Sequence, residues 1–174
     1  ALLDEVKARE DLGYSYEAAE ASFELLARRA LATVPRYFSV DNFRVTVERK
    51  EERSKSHNGN GTVSQAVVTV SIAGDEAALV SVGEALDKAL RSDLGRYQKH
   101  IEHVELVDYK VRILTQTRDG GTASVTRVLV ESHDTETGDR WTTVGVSPNI
   151  IDASFEALLD SINYKLLRDN ARVG

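Results

Sequence analysis

Hydrophobic and polar residues alternate along the chain from residue 43 onward, and a helical spacing replaces this alternation at two places. Apolar residues at every second position are typical of strands with one buried face. The first alternating segments are FRVTVERK, VSQAVVTVSIAG and AALVSV, which begin at residues 43, 63 and 77. They predict three strands, followed by a short helix over EALDKALRSDL that presents Leu86, Ala89 and Leu90 on its apolar side.

The same order of elements returns after residue 104. Its alternating segments are VELVDYKVRIL, TASVTRVLVES and RWTTVGVS, which begin at residues 104, 122 and 140. Asp119-Gly120-Gly121, between the first two, is a strong signal for a tight hairpin turn. A helix follows the third segment, with Ser147 as its predicted cap and Pro148 at its first position, where the missing proline N–H costs nothing.

The two halves can be overlaid as an internal repeat. GTVSQAVVTV from Gly61 matches GTASVTRVLV from Gly121, and FRVTV from Phe43 matches YKVRI from Tyr109. EAL at Glu84 also matches EAL further along the chain. We therefore predict an α+β fold with two βββα repeats, at about residues 41–95 and 104–169, whose sheets gain a second buried face by stacking.

Residues before the strands show helical spacing instead. LLDEVKARE predicts one helix, and YEAAEASFELLARRALATV predicts a second one that Ser15 caps and that ends before Pro35. Its predicted apolar face consists of Phe23, Leu26, Ala27, Ala30 and Leu31. We interpret residues 1–38 as a helical linker subdomain that precedes a larger domain over residues 39–174.

The second strand of the second repeat is apolar on both faces. Val128 and Val130 belong to its core face, whereas Ala123, Val125 and Leu129 lie on the opposite face, which Arg127 interrupts. An apolar second face is usually covered by another sheet or another subunit. We therefore predict a homodimer with Ala123, Val125 and Leu129 at its interface.

Composition excludes several classes of function. The chain has 22 Lys and Arg against 28 Asp and Glu, a net charge of −6, which argues against binding to nucleic acid or to an anionic membrane surface. No apolar run approaches the roughly 20 residues that a membrane span needs, and no signal peptide is evident. The absence of cysteine excludes disulfides and thiolate chemistry, so we expect a cytoplasmic protein.

Candidate chemistry is sparse. His100 and His103 have the spacing of a helical metal pair, but no second pair or cysteine supports them, so a surface linker is favoured. The chain offers no nucleophile–base pair and no metal-ligand set, and we expect no catalysis by this fragment alone. One site-like feature is TTVGVSPN, where Gly145 permits close approach and the N–H groups after Ser147 could receive a carboxylate. A plain strand-to-helix turn explains it equally well.

Several segments resemble a known family: LGYSYEAAEASFELL, DYKVRIL, GTASVTRVLVES, the strand of Trp141, and TVGVSPNIIDASFEALLDSINYKL. They are similar to the C-terminal part of 2-isopropylmalate and citramalate synthases, and closer to the citramalate branch. This resemblance implies a parent acyltransferase whose N-terminal TIM barrel, absent here, binds a divalent metal, a 2-keto acid and acetyl-CoA. The present chain would be the linker and the regulatory domain, without a cofactor of its own.

The resemblance also implies that the regulatory domain forms a homodimer and binds an end-product amino acid for feedback inhibition. Isoleucine is typical of the citramalate branch and leucine of the isopropylmalate branch. Matching by motif, the implied effector-binding residues are Leu86, Leu90, Asp108, Tyr109, Gly145, Val146, Pro148, Asn149 and Ile150. LVSVGEAL replaces the family's usual glycine-proline loop, so two alternatives stay open: a leucine-regulated domain, or a structural dimerisation module without an effector.

Overall fold

A computed structural model describes residues 2–51, 60–72, 74–75, 77–118 and 121–173. The chain forms two compact units. Unit 1 consists of Ala1–Pro35 and His100–Ala171, and unit 2 consists of Arg36–Lys99 and Arg172–Gly174. Each unit contains one three-stranded antiparallel sheet, which confirms the predicted α+β fold with two βββα repeats.

The helices and strands follow one another in the predicted order. Unit 2 contains β1 (Phe38–Glu51), β2 (Asn60–Ile72), β3 (Leu79–Gly83) and α3 (Leu86–Ser92). Unit 1 contains the helices α1 (Leu2–Leu12) and α2 (Glu20–Ala30), then β4 (Val104–Arg118), β5 (Gly121–Asp134), β6 (Arg140–Ser147) and α5 (Ile150–Arg168). A short helix, α4 (Gln98–Ile101), precedes β4. Within the described residues, no helix has both the length and the apolar character to cross a membrane. The predicted turn at Asp119-Gly120 lies outside the described residues.

The sheet of unit 2 has the strand order β1-β2-β3 and packs one face against α3. Its core face is the one that the alternation predicts, because Ala66, Val68, Val70 and Ile72 are all buried. From α3, Ala89 and Leu90 are buried as well. The pattern of apolar positions therefore identified this small core correctly.

The sheet of unit 1 has the strand order β4-β5-β6 and carries α5 on one face. Val128 and Val130 are fully buried on that face. Trp141 is 4% exposed and donates its indole N–H to Ser161 Oγ at 2.9 Å. The apolar stripe of this 19-residue helix is buried at Leu158, Ile162 and Leu166, whereas Ile150 and Ile151 in its first turn are 43% and 38% exposed.

The other face of this sheet is covered by the chain's own N-terminal segment, residues 2–31, here called the arm. Tyr16, Ala19 and Leu26 of the arm form a buried cluster with Val144 of β6. Gly13, with φ +113°, makes the turn between α1 and α2, a backbone conformation that favours glycine. The arm, which belongs to the predicted linker subdomain, therefore packs with the second repeat.

Two details of the predicted second helix are wrong. It begins at Glu20 after the N-cap residue Ala19, so Ser15 does not cap it. Its buried residues are Ala21, Ser22, Leu25 and Leu26, whereas Phe23 is 41% and Leu31 is 73% exposed. The physical reason is that the buried side includes a serine with polar partners, which a purely apolar pattern does not detect.

The register of the repeat also differs from the sequence overlay. β-bulges at Asp41 and Val107 are 66 residues apart, in agreement with the match of Phe43 to Tyr109. Their partner strands are related by 62 residues, because Val40 pairs with Val70 and Leu106 with Ser132. The predicted match of Gly61 to Gly121 is therefore wrong by two residues, a shift that keeps every side chain on its face. The EAL match is also wrong, since Glu84 precedes α3 and Glu156 lies within α5.

Candidate functional site

The start of α5 is built differently from its prediction. Its N-cap is Asn149, not Ser147, and the Asn149 side chain accepts from the N–H groups of Ile151 at 2.8 Å and Asp152 at 3.4 Å. Pro148 lies ahead of the helix and is exposed. Two of the N–H groups expected to receive a ligand carboxylate therefore already have a partner in Asn149.

Gly145 and Val146 point to opposite faces of the sheet. A Cβ atom at Gly145 would lie 1.9 Å from the carbonyl oxygen of Ala153, so glycine is required for α5 to rest on β6. Val146 packs beside the arm, and its N–H donates to Glu156 Oε2 at 3.0 Å. In this structure Gly145 serves the approach of a helix, which was one of the two roles considered for it.

Tyr109 and the first turn of α5 are joined through Ser154. The Tyr109 hydroxyl lies 2.6 Å from Ser154 Oγ, and Ser154 Oγ donates to the carbonyl of Ile150 at 2.6 Å. Because the serine has a single hydroxyl proton, the tyrosine is the donor in the first of these bonds. The structure thus brings together the predicted residues Tyr109 and Ile150. Sequence reasoning missed Ser154, whose only signal was its position four residues after Ile150.

Asp108 precedes this tyrosine in β4, and its side chain lies on the opposite face of the sheet. Its carboxylate accepts from Lys110 Nζ at 2.7 Å and from the N–H of Tyr109 at 2.9 Å. The hydrogen bond from Lys110 is the main cause that lowers the pKa of Asp108, and the backbone N–H acts in the same direction. The Asp108 carboxylate is thus engaged with Lys110 and does not face the Tyr109 ring, so it is not part of the corner.

An apolar strip remains open along β4 beside these groups. It consists of Tyr109, Val111 and Ile113, which are 42%, 41% and 71% exposed and share the face on which β5 presents Val128 and Val130. We call these three residues the β4 strip. Exposed apolar residues in a row on an edge strand are typical of a contact surface for a protein or a ligand.

The predicted dimer residues lie on the other face. Leu129 packs against the buried cluster of the arm, and Val125 Cγ2 is 3.3 Å from the Cβ position of Gly13. Ala123 lies in β5, and its side chain is not among those that the structure describes. The apolar character of this face, which motivated the interface prediction, therefore has an intramolecular explanation at Val125 and Leu129.

Leu86 and Leu90 belong to unit 2, unlike the other predicted effector residues. Leu90 is 1% exposed and is part of the core between α3 and its sheet. Leu86 is half-buried in the first turn of α3. Because Leu90 is buried in the core of unit 2, its burial favours a packing role.

A buried ion-pair network closes the far end of α5. Lys165 Nζ lies 2.6 Å from Asp134 and 2.8 Å from Asp169, and Asp169 also bonds His100 Nδ1 at 2.9 Å. Burial acts to raise the pKa of Asp134, but hydrogen bonds from Lys165 and from two backbone N–H groups outweigh it and hold the pKa at about 2. His100 is thus a half-buried partner of Asp169, which corrects its interpretation as a surface linker residue. Among the described residues, no three His, Cys, Asp or Glu side chains are placed to hold a metal ion.

Comparison with known proteins agrees with this architecture. The family model described as the LeuA allosteric (dimerisation) domain matches residues 17–166. The chain is 46% identical over 169 residues to an (R)-citramalate synthase of Geobacter sulfurreducens, which covers 95% of this chain and 30% of that protein. It is 42% identical over 172 residues to an (R)-citramalate synthase of Aquifex aeolicus, covering 97% of this chain and 31% of that protein. The chain therefore spans about a third of the length of these relatives.

Proposed function

Because this chain belongs to the LeuA allosteric (dimerisation) domain family, we propose that it is the amino-acid-sensing regulatory domain of a citramalate synthase. The effector is a branched-chain amino acid, with isoleucine favoured over leucine, and its binding inhibits a catalytic barrel in the same polypeptide. The barrel supplies the divalent metal site and the acetyl-CoA chemistry of an acyltransferase. The observation that carries the proposal is the Tyr109–Ser154–Ile150 link beside the open β4 strip.

The chemistry of this corner suits such a ligand. The β4 strip offers apolar surface for a branched side chain, and the hydroxyls of Tyr109 and Ser154 provide polar groups at its end. The Tyr109 hydroxyl is fixed by Ser154, so its ring is held in place before a ligand arrives. Preorganised apolar walls with a few placed polar groups are the usual composition of small-molecule sites. Asn149 occupies part of the helix start, where it accepts from the N–H groups of Ile151 and Asp152.

Calorimetric titration of the chain with isoleucine and with leucine tests this function. We expect saturable binding of isoleucine, and a Tyr109→Ala variant weakened by about tenfold or more, because truncating a packed aromatic costs at least about 1.4 kcal/mol. Tyr109→Phe is the matched comparison: it keeps the ring and loses the bond to Ser154, so it should weaken binding, but by less than Tyr109→Ala.

Two results would contradict the proposal. Absence of heat and of thermal stabilisation with both amino acids would remove the sensing function and leave the alternative of a structural dimerisation module. Preferential binding of leucine would instead support the leucine-regulated alternative.

We further propose that the domain forms a homodimer and that the β4 strip contributes to the contact. The family description supports self-association, and the strip lies on an edge strand, where backbone groups are also available for pairing. Light scattering should detect a dimer, and Ile113→Glu should convert it to a monomer, because a charge replaces an apolar contact. Val82→Glu, at an apolar residue of unit 2 that is 52% exposed, serves as the control and should remain dimeric. Dissociation by the control alone would place the contact elsewhere.

A further inference from the structure

The edge of the unit 1 sheet is held by side chains instead of by another strand. β6 is one of the two edge strands of this sheet, and three alternate N–H groups along it have side-chain acceptors. Thr142 N–H donates to Glu20 at 2.9 Å, Val144 N–H to Ser22 Oγ at 3.0 Å, and Val146 N–H to Glu156 at 3.0 Å. Since Glu20 and Ser22 come from the arm and Glu156 from α5, the arm and α5 meet at this edge.

Glu156 forms the first direct connection between α5 and the arm. Its Oε1 accepts from the Tyr14 hydroxyl at 2.6 Å while its Oε2 accepts from β6, so one carboxylate holds two elements together. Arg9 of α1 adds a more distant ion pair at 3.9 Å. Burial, reinforced by the bond to Glu156, raises the pKa of Tyr14, and its hydroxyl therefore remains a donor at neutral pH.

Asp160, one helical turn further along α5, forms the second connection. Its two oxygens accept from Ser22 Oγ and from Arg29 Nη2, each at 2.9 Å. Asp160 is 9% exposed, and the Ser22 hydroxyl that it receives also accepts from β6. We call Glu156, Asp160 and their arm donors the edge clamp. Opening it would leave a buried carboxylate without partners, which is strongly unfavourable.

The geometry of α5 leaves little room to absorb a displacement at its start. Gly145 brings the helix into direct contact with β6, where even a methyl group would collide with Ala153. Glu156 lies seven residues beyond the cap Asn149, about 10 Å along a straight helix. A movement at the cap is therefore carried to the edge clamp, because the intervening packing is tight.

We propose that α5 couples the effector corner to the arm: occupation of the corner at Tyr109 and Ile150 displaces the start of α5, and the edge clamp transmits that displacement to the arm. This inference rests on the proposed amino-acid-sensing function. Glu156 and Asp160 are positioning residues, since neither lies at the Tyr109–Ser154–Ile150 contact. The physical basis for the coupling is that α5 is a rigid element, so a movement of its first turn also moves Glu156 and Asp160.

Hydrogen–deuterium exchange of the whole chain, with and without saturating isoleucine, tests this coupling. In the wild-type chain the amides of α2 should change their exchange rate by about threefold or more on binding. In the Glu156→Gln/Asp160→Asn double variant that change should disappear while calorimetric affinity stays within about threefold, a difference of about 0.65 kcal/mol. Glu24→Gln is the matched control, because it removes an arm carboxylate whose ion pair with Arg28, one turn away, lies outside the clamp.

Each outcome decides between the two proposals. Binding without any response of α2 in the wild type, or a full response in the double variant, would overturn the coupling alone. No binding to the wild type would overturn the sensing function and the coupling with it. Emission from Trp141, which packs against Leu25 of the arm and Tyr164 of α5, verifies that each variant is folded. If the double variant does not fold, the single substitutions Glu156→Gln and Asp160→Asn each replace it, with a partial loss expected.

Discussion

The two repeats carry the same apolar pattern on the second faces of their sheets and bury it to very different extents. In unit 1, Val144 is 1% exposed beneath the arm. Val82, which precedes it by the repeat distance of 62 residues, is 52% exposed in unit 2, and Val63 is 51% exposed. The same apolar pattern is therefore buried in one repeat and exposed in the other. Among the described residues, an element of the same chain covers this face in unit 1 but not at Val82 and Val63 of unit 2.

Arg127 illustrates how the covered face tolerates a charge. It interrupts the apolar row of β5, and its Nε donates to the carbonyl of Gly13 in the turn of the arm. The same position in unit 2 is Gln65, which is exposed. An arginine on a covered face of a sheet needs hydrogen-bond acceptors for its N–H groups, and here the arm supplies one. The polar residue that interrupted the predicted face is therefore part of what fixes the arm.

Matched valine substitutions should give the largest difference between the two faces. Val144→Ala is expected to destabilise unit 1 by about 2 kcal/mol, because it removes two methyl groups from a packed cluster. Val82→Ala should change stability by less than about 0.5 kcal/mol, as is usual at exposed positions. Urea unfolding followed by Trp141 fluorescence for the first variant and by circular dichroism for both would measure this. Equal losses would mean that Val82 is covered in solution, and the comparison would fail.

The two repeats should also differ, by a smaller amount, in how much stability they lose at acid pH. Each has an aspartate at its second hairpin, and the two carboxylates have different surroundings. Ionised Asp134 is favoured by folding because its pKa falls from 3.8 to about 2. It therefore stabilises the folded state above its ordinary pKa, and this contribution, roughly 2 kcal/mol, is lost as the pH falls from 3.8 toward 2. Asp75 of the hairpin in unit 2 pairs with Arg96 at an exposed position.

Thermal unfolding of the two asparagine variants between pH 5 and about pH 2 would check this. Asp134→Asn should be less stable than the wild type at pH 5 and should show a flatter decline with acid, since the group that titrates is gone. Asp75→Asn should keep the wild-type decline, because its ion pair is solvent-exposed and contributes little. A steep decline in Asp134→Asn would show that other carboxylates dominate acid unfolding.

Much of the candidate site could be predicted from the sequence, and the failures have a common cause. Motif matching selected Tyr109, Asn149 and Ile150, which the structure places around one corner of unit 1. It also selected Val146 and Leu90, which pack into other parts of the structure. A linear motif specifies which residues are near in the chain but not which face each one takes. Ser154 was missed because a serine in a helix has no distinctive pattern of its own.

The sequence by itself determined the strands, their core faces and the twofold repeat, because these follow from the period of apolar residues. It also determined that the chain has no cysteine chemistry and a net negative charge. Only the tertiary structure decided what covers each face, since periodicity reports that a face is apolar but not which element packs on it. It likewise decided the repeat register, which depends on bulges and strand pairing, and the side-chain bonds through which the arm, β6 and α5 meet.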